Sequence, residues 1–147
     1  MDQAQPLTAA QLGAAMVAYR DRLREHRETL NRLNVYPVPD GDTGTNMALT
    51  MDSVVEALAA LSPSPVGAGE LPAASMRDLC ETMGHASLMG ARGNSGVILS
   101  QLLRGMADSL ASAGVSSVAV IGGAELAEAL GAAAESARRA VQRPVEG

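Results

Sequence analysis

The segment DGDTGTN, residues 40–46, places two carboxylates one residue apart among glycines and short polar side chains. The oxygens of Asp40 and Asp42 are ligands that suit Mg²⁺, which takes one or two protein carboxylates and completes its shell with waters and phosphates. Because the segment leads into a helix, free backbone N–H groups near Thr45 and Asn46 would attract an anion to the same place. Carboxylates and phosphates repel each other unless a cation separates them. The pattern therefore predicts a magnesium–phosphate site.

Residues 40–46 could also form a simple turn or an EF-hand calcium loop. Asp-Gly pairs are common in turns, so a simple turn remains an alternative. An EF-hand calcium loop is excluded, because its third oxygen ligand, its glycine and its terminal glutamate are replaced by Gly44, Thr45 and Met51. Asn34, which precedes the prolines, either reaches the metal or caps the helix before it.

The segment GARGNSG, residues 90–96, also leads into a helix and carries a glycine at every third position. Glycine allows a ligand to approach the backbone closely, Asn94 and Ser95 offer short polar contacts, and Arg92 could pair with a phosphate. A Walker A loop is excluded because the chain has no Lys, and the dinucleotide fingerprint requires a different glycine spacing after a strand. A tight corner between two helices remains the alternative.

Helices are the elements that must position both segments. Thr8 and Gln11 have capping-box spacing, and apolar residues at steps of three and four predict one long helix from there to Leu33, ending before Pro37 and Pro39. Four further helices are predicted. They begin near Thr45, at Ser75 (running to about Met89), at Ser95, and at Gly123 (running to about Gln142).

The helix after Ser95 is apolar on almost every side, so we expect it to be central. Residues 115–121 form a short apolar run, but a single extended segment makes no sheet. Residues 1–7 are predicted to be disordered, and the Pro-, Gly- and Ser-rich loop at about 62–74 is predicted to be mobile.

The composition narrows the classes of protein that the chain can belong to. Its 147 residues suit one domain, and 47% of them are apolar, which argues against general disorder. The net charge is −5 and there is no basic, aromatic-interleaved patch, so nucleic-acid binding is not expected. Cys80 cannot form an internal disulfide and is expected to be a buried residue rather than a nucleophile. With neither a signal pattern nor a membrane-spanning run, the expected location is the cytoplasm.

Two motifs in the chain resemble those of a known family. Residues 31–47 (NRLNVYPVPDGDTGTNM), followed by Leu49-Thr50-Met51, are similar to the signature of the DAK2, or dihydroxyacetone-kinase L-like, domain. More narrowly they resemble the N-terminal domain of fatty acid kinase A proteins. Residues 90–101 (GARGNSGVILSQ) resemble the second motif of that group. The likeness covers about residues 8–147.

The resemblance implies an all-α fold, an antiparallel helical bundle or barrel that binds ATP and two Mg²⁺ ions at one end. Asp40 and Asp42 match the metal-binding aspartates of the family, and Asn34 falls one residue away from a third. The residues expected to hold the nucleotide, from the match and from the residue chemistry together, are Thr43, Gly44, Thr45, Asn46, Arg92, Gly93, Asn94, Ser95 and Gly96.

The resemblance also implies a kinase, in which the γ-phosphoryl group of ATP passes to the carboxylate of a fatty acid held by a separate fatty-acid-binding partner protein. A dihydroxyacetone-type kinase acting on a small hydroxy-ketone is the second hypothesis. A non-enzymatic helical interaction module is the third. Family members continue beyond Gly147 into further helices and domains, through which a homodimer could form. We therefore expect a domain truncated at its C-terminal end, with lowered stability and no kinase activity alone.

Overall fold

A computed structural model of the chain describes residues 5–36, 38–61, 74–113 and 120–141. These residues form an all-α fold in which the two strands are only two residues long. The elements in chain order are β1 (Leu7–Thr8), α1 (Ala9–Glu25), α2 (Arg27–Leu33), α3 (Thr43–Ala60), α4 (Met76–Met89), α5 (Gly93–Ser112), β2 (Val120–Ile121) and α6 (Gly123–Ala140). None of the described helices is long and apolar enough to cross a membrane.

The first helix begins as its local sequence predicts. Thr8 Oγ1 accepts a hydrogen bond from the backbone N–H of Gln11 at 3.2 Å, and Gln11 Oε1 accepts one from the backbone N–H of Thr8 at 2.9 Å. This reciprocal capping box satisfies two donors that a helix start leaves free. Leu12, Met16 and Leu23 then carry the buried face of α1.

The prediction of one continuous helix up to Leu33 is wrong, because the helix breaks at His26. His26 has φ −96° and ψ 7°, outside the helical region, and neither proline nor glycine lies nearby. No residue of α2 is fully buried, but the helix packs along α3, and Leu30 contacts the core. The local pattern contains no breaker, and α2 lies against the start of α3, where Gly44 approaches the carbonyl oxygen of Arg27.

The predicted starts of the later helices meet different outcomes. Ser75 and Asp78 form the second reciprocal capping box, and α4 ends at Met89 as predicted. The predicted cap at Ser95 is wrong. Arg92 is the N-cap of α5, no side chain caps that end, and Ser95 lies in the first turn of the helix.

The short apolar run before α6 does find a strand partner. Leu7 pairs with Ile121 and Thr8 with Val120 in an antiparallel ladder, so the expectation that the run stays unpaired is wrong. The partner strand lies more than a hundred residues away and has no alternating pattern of its own. Residues 1–4 and 62–73, which include most of the segments predicted to be disordered or mobile, lie outside the described residues.

The core is built from Met, Leu, Val and Ala, as the composition predicts for a chain without Phe or Trp. The helix α5 packs along α4, α6 and α3, which confirms its central position, although Val97 and Ile98 remain partly exposed. Close approach of α5 and α6 depends on small residues. A Cβ atom at Gly105 would lie 2.6 Å from the carbonyl oxygen of Ala132, so glycine lets the backbones of the two helices approach each other closely.

Candidate functional site

A cleft of about 410 Å³ lies where α3 and α5 begin. Both predicted segments contribute to it, and so does the loop that joins α2 to α3. The residues that line it are Asn34, Tyr36, Val38, Asp40, Asp42, Thr43, Asn46, Gly93, Asn94 and Ser95. The structure thus brings together the two segments, which are about fifty residues apart in the chain.

The carboxylates enter the cleft from a turn that requires glycine. Gly41 has φ +66°, a left-handed conformation that side-chain-bearing residues rarely adopt, and it separates Asp40 from Asp42. Asp42 is the N-cap of α3, yet its carboxylate makes no capping hydrogen bond, so both of its oxygens are available to a ligand. Asn34 Nδ2 donates a hydrogen bond to Asp40 Oδ1, which orients that carboxylate.

This donor set fits magnesium. It offers two carboxylates and amide and hydroxyl oxygens in an open cleft, which leaves coordination positions for waters and phosphates. Within the described ranges no cluster of three or more His, Cys, Asp or Glu side chains could hold a metal, so the nitrogen- and sulfur-rich sets that zinc prefers do not occur there. Asn34 lies beside Asp40, where it can act through that carboxylate or as a ligand itself.

The start of α5 presents backbone donors to the same cleft. In an α-helix the first N–H groups have no acceptor within the helix, here those of Gly93, Asn94 and Ser95, and Arg92 provides no side-chain cap. Gly93 has φ +59°, and a Cβ atom there would collide with the side-chain amide of Asn46. The loop is therefore closed tightly against α3.

The start of α3 is organised differently, because one of its free donors is already used. Asn31 Oδ1 accepts a hydrogen bond from the backbone N–H of Thr45 at 3.1 Å, and Asn31 Nδ2 donates to Thr45 Oγ1 at 3.0 Å. Gly44 is buried against the carbonyl oxygen of Arg27, where a Cβ atom would not fit. Gly44 and Thr45 therefore contact α2 and do not line the cleft.

Not every residue predicted for the nucleotide lines the cleft. Thr43, Asn46, Gly93, Asn94 and Ser95 do, and Ser95 Oγ donates to Thr43 Oγ1 at 3.5 Å. The other four, which are Gly44, Thr45, Arg92 and Gly96, lie outside the lining.

Arg92 and Gly96 have structural contacts of their own. The side chain of Arg92 donates to the carbonyl of Ala91 at 3.4 Å, and its backbone N–H donates to Thr50 Oγ1 at 3.1 Å. Gly96 packs against that same hydroxyl.

Three features of the cleft were not predicted from the sequence: the contacts of Asn31, the contacts of Thr50, and an apolar edge. Asn31 and Thr50 hold the loops from behind, and no local spacing rule links them to their partners. Tyr36 and Val38 give the cleft an apolar edge, and they are 70% and 61% exposed. Their place between Asn34 and Asp40 was the available signal, since apolar side chains in a loop beside ligands often contact the bound molecule.

The lone cysteine takes no part in the cleft. Cys80 is fully buried in α4, as predicted, and burial together with the neighbouring charge of Glu81 raises the pKa of its thiol to about 11. The reactive thiolate is therefore scarce near neutral pH, and the burial of Cys80 confirms that it is a core residue.

The fold and the cleft define a helical domain in which two helix starts and two aspartates share one site. Residues 37–147 match the DAK2 domain, so the chain belongs to this kinase-related family. Among curated relatives, an uncharacterized protein of Staphylococcus saprophyticus is 44% identical over 125 residues, which are 85% of the chain and 20% of that protein. Uncharacterized proteins of Staphylococcus aureus strains USA300 and NCTC 8325 match with the same identity and coverage. The match thus spans about a fifth of the length of these relatives.

Proposed function

We propose that this chain binds ATP and Mg²⁺ as the nucleotide-binding domain of a phosphotransferase. The observation that carries the proposal is the shared cleft. The carboxylates of Asp40 and Asp42 and the uncapped start of α5 line the same space. A metal with bound phosphates needs anionic oxygens on one side and hydrogen-bond donors on the other, and this cleft offers both.

In this proposal each group has a separate task. Asp40 and Asp42 hold Mg²⁺, two ions by resemblance to the family, and Asn34 orients Asp40 or joins the ligands. The N–H groups of the first turn of α5, with Thr43, receive the phosphate oxygens. Bound magnesium supplies the charge neutralisation that phosphoryl transfer requires, which suits a chain that contains no Lys.

We further propose a fatty acid as the phosphoryl acceptor. The γ-phosphoryl group would pass from ATP to a carboxylate oxygen of the fatty acid, leaving ADP and an acyl phosphate. The resemblance of the NVYPVPDGDTG segment to fatty acid kinases supports this choice, with the acid presented by a lipid-binding partner protein. Homodimerisation through other domains stays a prediction of the same resemblance, and a cytoplasmic location stays a prediction from the sequence pattern.

Calorimetric titration of ATP with and without Mg²⁺ tests the nucleotide site. The chain should bind ATP in a magnesium-dependent manner, and Asp40→Asn and Asp42→Asn should each weaken that binding about tenfold or more, equivalent to about 1.4 kcal/mol. Asp108→Asn is the matched control, because it removes an exposed carboxylate from α5 that does not line the cleft. Magnesium-independent binding, or equal effects of all three variants, would refute the metal assignment and favour the interaction-module hypothesis.

The acceptor is tested separately, in the longest product that the gene encodes. Radiolabelled ATP is supplied with either a fatty acid on its carrier protein or dihydroxyacetone, and acyl phosphate is trapped with hydroxylamine. Formation of an acyl hydroxamate that depends on ATP, with the labelled phosphate released as inorganic phosphate, supports the fatty acid. Label in a sugar phosphate would instead assign the dihydroxyacetone-type reaction and leave the nucleotide site unchanged.

A further inference from the structure

The hydroxyl of Thr50 connects the two loops of the cleft. Thr50 lies within α3 and has no exposed surface. Its Oγ1 donates to the carbonyl oxygen of Asn46 at 2.8 Å and accepts from the backbone N–H of Arg92 at 3.1 Å. One oxygen atom therefore joins the first turn of α3 to the residue that precedes α5, forty-two positions further along the chain.

The surrounding backbone is fitted to this oxygen. Gly96 approaches it so closely that a Cβ atom at that position would collide with Thr50 Oγ1. Asn46, whose carbonyl oxygen accepts the hydrogen bond from the hydroxyl, also contacts Gly93 through its side chain and lines the cleft. Any shift of Thr50 would therefore move both the amide of Asn46 and the donors at the start of α5.

Packing alone does not require threonine at this position. Valine has nearly the same shape, and a threonine that bonds the carbonyl four residues back in a helix tends to destabilise it slightly. What threonine adds is an acceptor for the Arg92 N–H, which would otherwise lack a partner beside the buried core. The hydroxyl therefore makes a contact outside its own helix, with the backbone N–H of Arg92.

We infer that Thr50 is a positioning residue for the nucleotide: its hydroxyl holds the N–H groups at the start of α5 in register with the aspartates at the start of α3. This role rests on the proposed function. Thr50 does not line the cleft itself, and it acts through Arg92 and Asn46, which flank and line the cleft.

Comparison of Thr50→Val with Thr50→Ser in the 147-residue chain tests the inference. The valine variant keeps the shape and loses the hydroxyl, whereas serine keeps the hydroxyl and loses a methyl group. The dissociation constant of Mg²⁺–ATP, measured well below the unfolding temperature, should rise about tenfold in Thr50→Val and stay within about twofold in Thr50→Ser. Amide hydrogen exchange at Arg92 should quicken only in the valine variant.

Ser100→Ala provides the matched control. It removes an equally buried hydroxyl whose hydrogen bond, to the carbonyl of Val97, stays within α5. The control should lower thermal stability without weakening Mg²⁺–ATP binding.

The possible outcomes separate this role from the proposed function. If Thr50→Val lowers the melting temperature but binds Mg²⁺–ATP as tightly as the unsubstituted chain, Thr50 has a structural role alone and the inference is overturned. If Thr50→Ser is as weak as Thr50→Val, the hydroxyl is not the cause and the inference also fails. Absence of Mg²⁺–ATP binding in the unsubstituted chain would overturn the proposed function, and the role of Thr50 with it.

Discussion

Asn31 caps a helix that begins twelve residues after it. Its side-chain amide accepts from the backbone N–H of Thr45 and donates to Thr45 Oγ1, at 3.1 and 3.0 Å. Asp42, the formal N-cap of α3, makes no such bond. A residue of α2 therefore caps α3 in place of Asp42, and the carboxylate of Asp42 is left available to a ligand.

Asn31→Ala should therefore lower the free energy of unfolding by about 1 kcal/mol, the usual cost of losing a helix cap. It should also weaken Mg²⁺–ATP binding, because Thr45 adjoins the residues of α3 that line the cleft. Gln11→Ala is the control, since it removes half of the capping box of α1 at a site remote in the chain from the cleft. Denaturant unfolding and nucleotide titration measure the two effects. Equal nucleotide affinities in the two variants would contradict a link between this cap and the cleft.

Gly93→Ala should be strongly unfavourable. The residue has φ +59°, and the new Cβ would collide with the side chain of Asn46. We expect a loss of about 1–3 kcal/mol of stability, as for other side-chain-bearing residues forced into this conformation, together with loss of nucleotide binding.

Gly131→Ala, the same substitution at another glycine, should raise the stability of the fold. Nothing lies within 4 Å of its Cβ position, which is on the exposed side of α6. Alanine there should stabilise the fold by about 0.5–1 kcal/mol, because it restricts the unfolded chain and favours the helix. Thermal unfolding of both variants checks the pair, and destabilisation by Gly131→Ala would show that α6 is packed differently.

Because the thiol of Cys80 is buried, we expect the free energy of unfolding to change at high pH. The pKa of Cys80 is raised from 9.0 to about 11 by burial and by Glu81, so the folded chain keeps the proton that the unfolded chain loses. The contribution of this thiol to stability is unchanged below pH 9 and falls between about pH 9 and 11, by at most roughly 1.4 kcal/mol per pH unit. Cys80→Ala should remove this part of the slope.

Tyr19→Phe is the companion variant in that experiment, because burial also raises the pKa of Tyr19 and its titration adds to the slope. The two substitutions should flatten the profile independently, since the side chains lie on different helices. An unchanged slope in Cys80→Ala would mean that the thiol ionises equally in the folded and unfolded chains.

Met51→Ala tests the core beneath the cleft. Met51 has no exposed surface and packs within the central apolar cluster, so its loss should cost about 2–5 kcal/mol. Leu130→Ala removes an apolar side chain that is 56% exposed on α6 and should cost much less. Denaturant unfolding distinguishes them, and similar losses in both variants would contradict the described core.

Much of this protein could be read from the sequence alone, because the relevant signals are local. The capping box at Thr8 and the N-cap at Ser75 lie within four residues, helical periodicity predicted the helices, and the residue types around Gly41 predicted a segment that lies in the cleft. These features depend on backbone geometry and side-chain chemistry within one or two turns, so neighbouring residues determine them.

Only the tertiary structure decided how these pieces meet. The break at His26, the pairing of Leu7 with Ile121 and the start of α5 at Gly93 all depend on contacts with distant elements. The links that assemble the cleft join residues 14, 42 and 52 positions apart, namely Asn31–Thr45, Thr50–Arg92 and Thr43–Ser95. No periodicity or cap rule encodes such pairs, because their geometry exists only once the helices have packed. For that reason the residue types predicted the chemistry of the cleft, whereas packing decided which of them line it and which support it from behind.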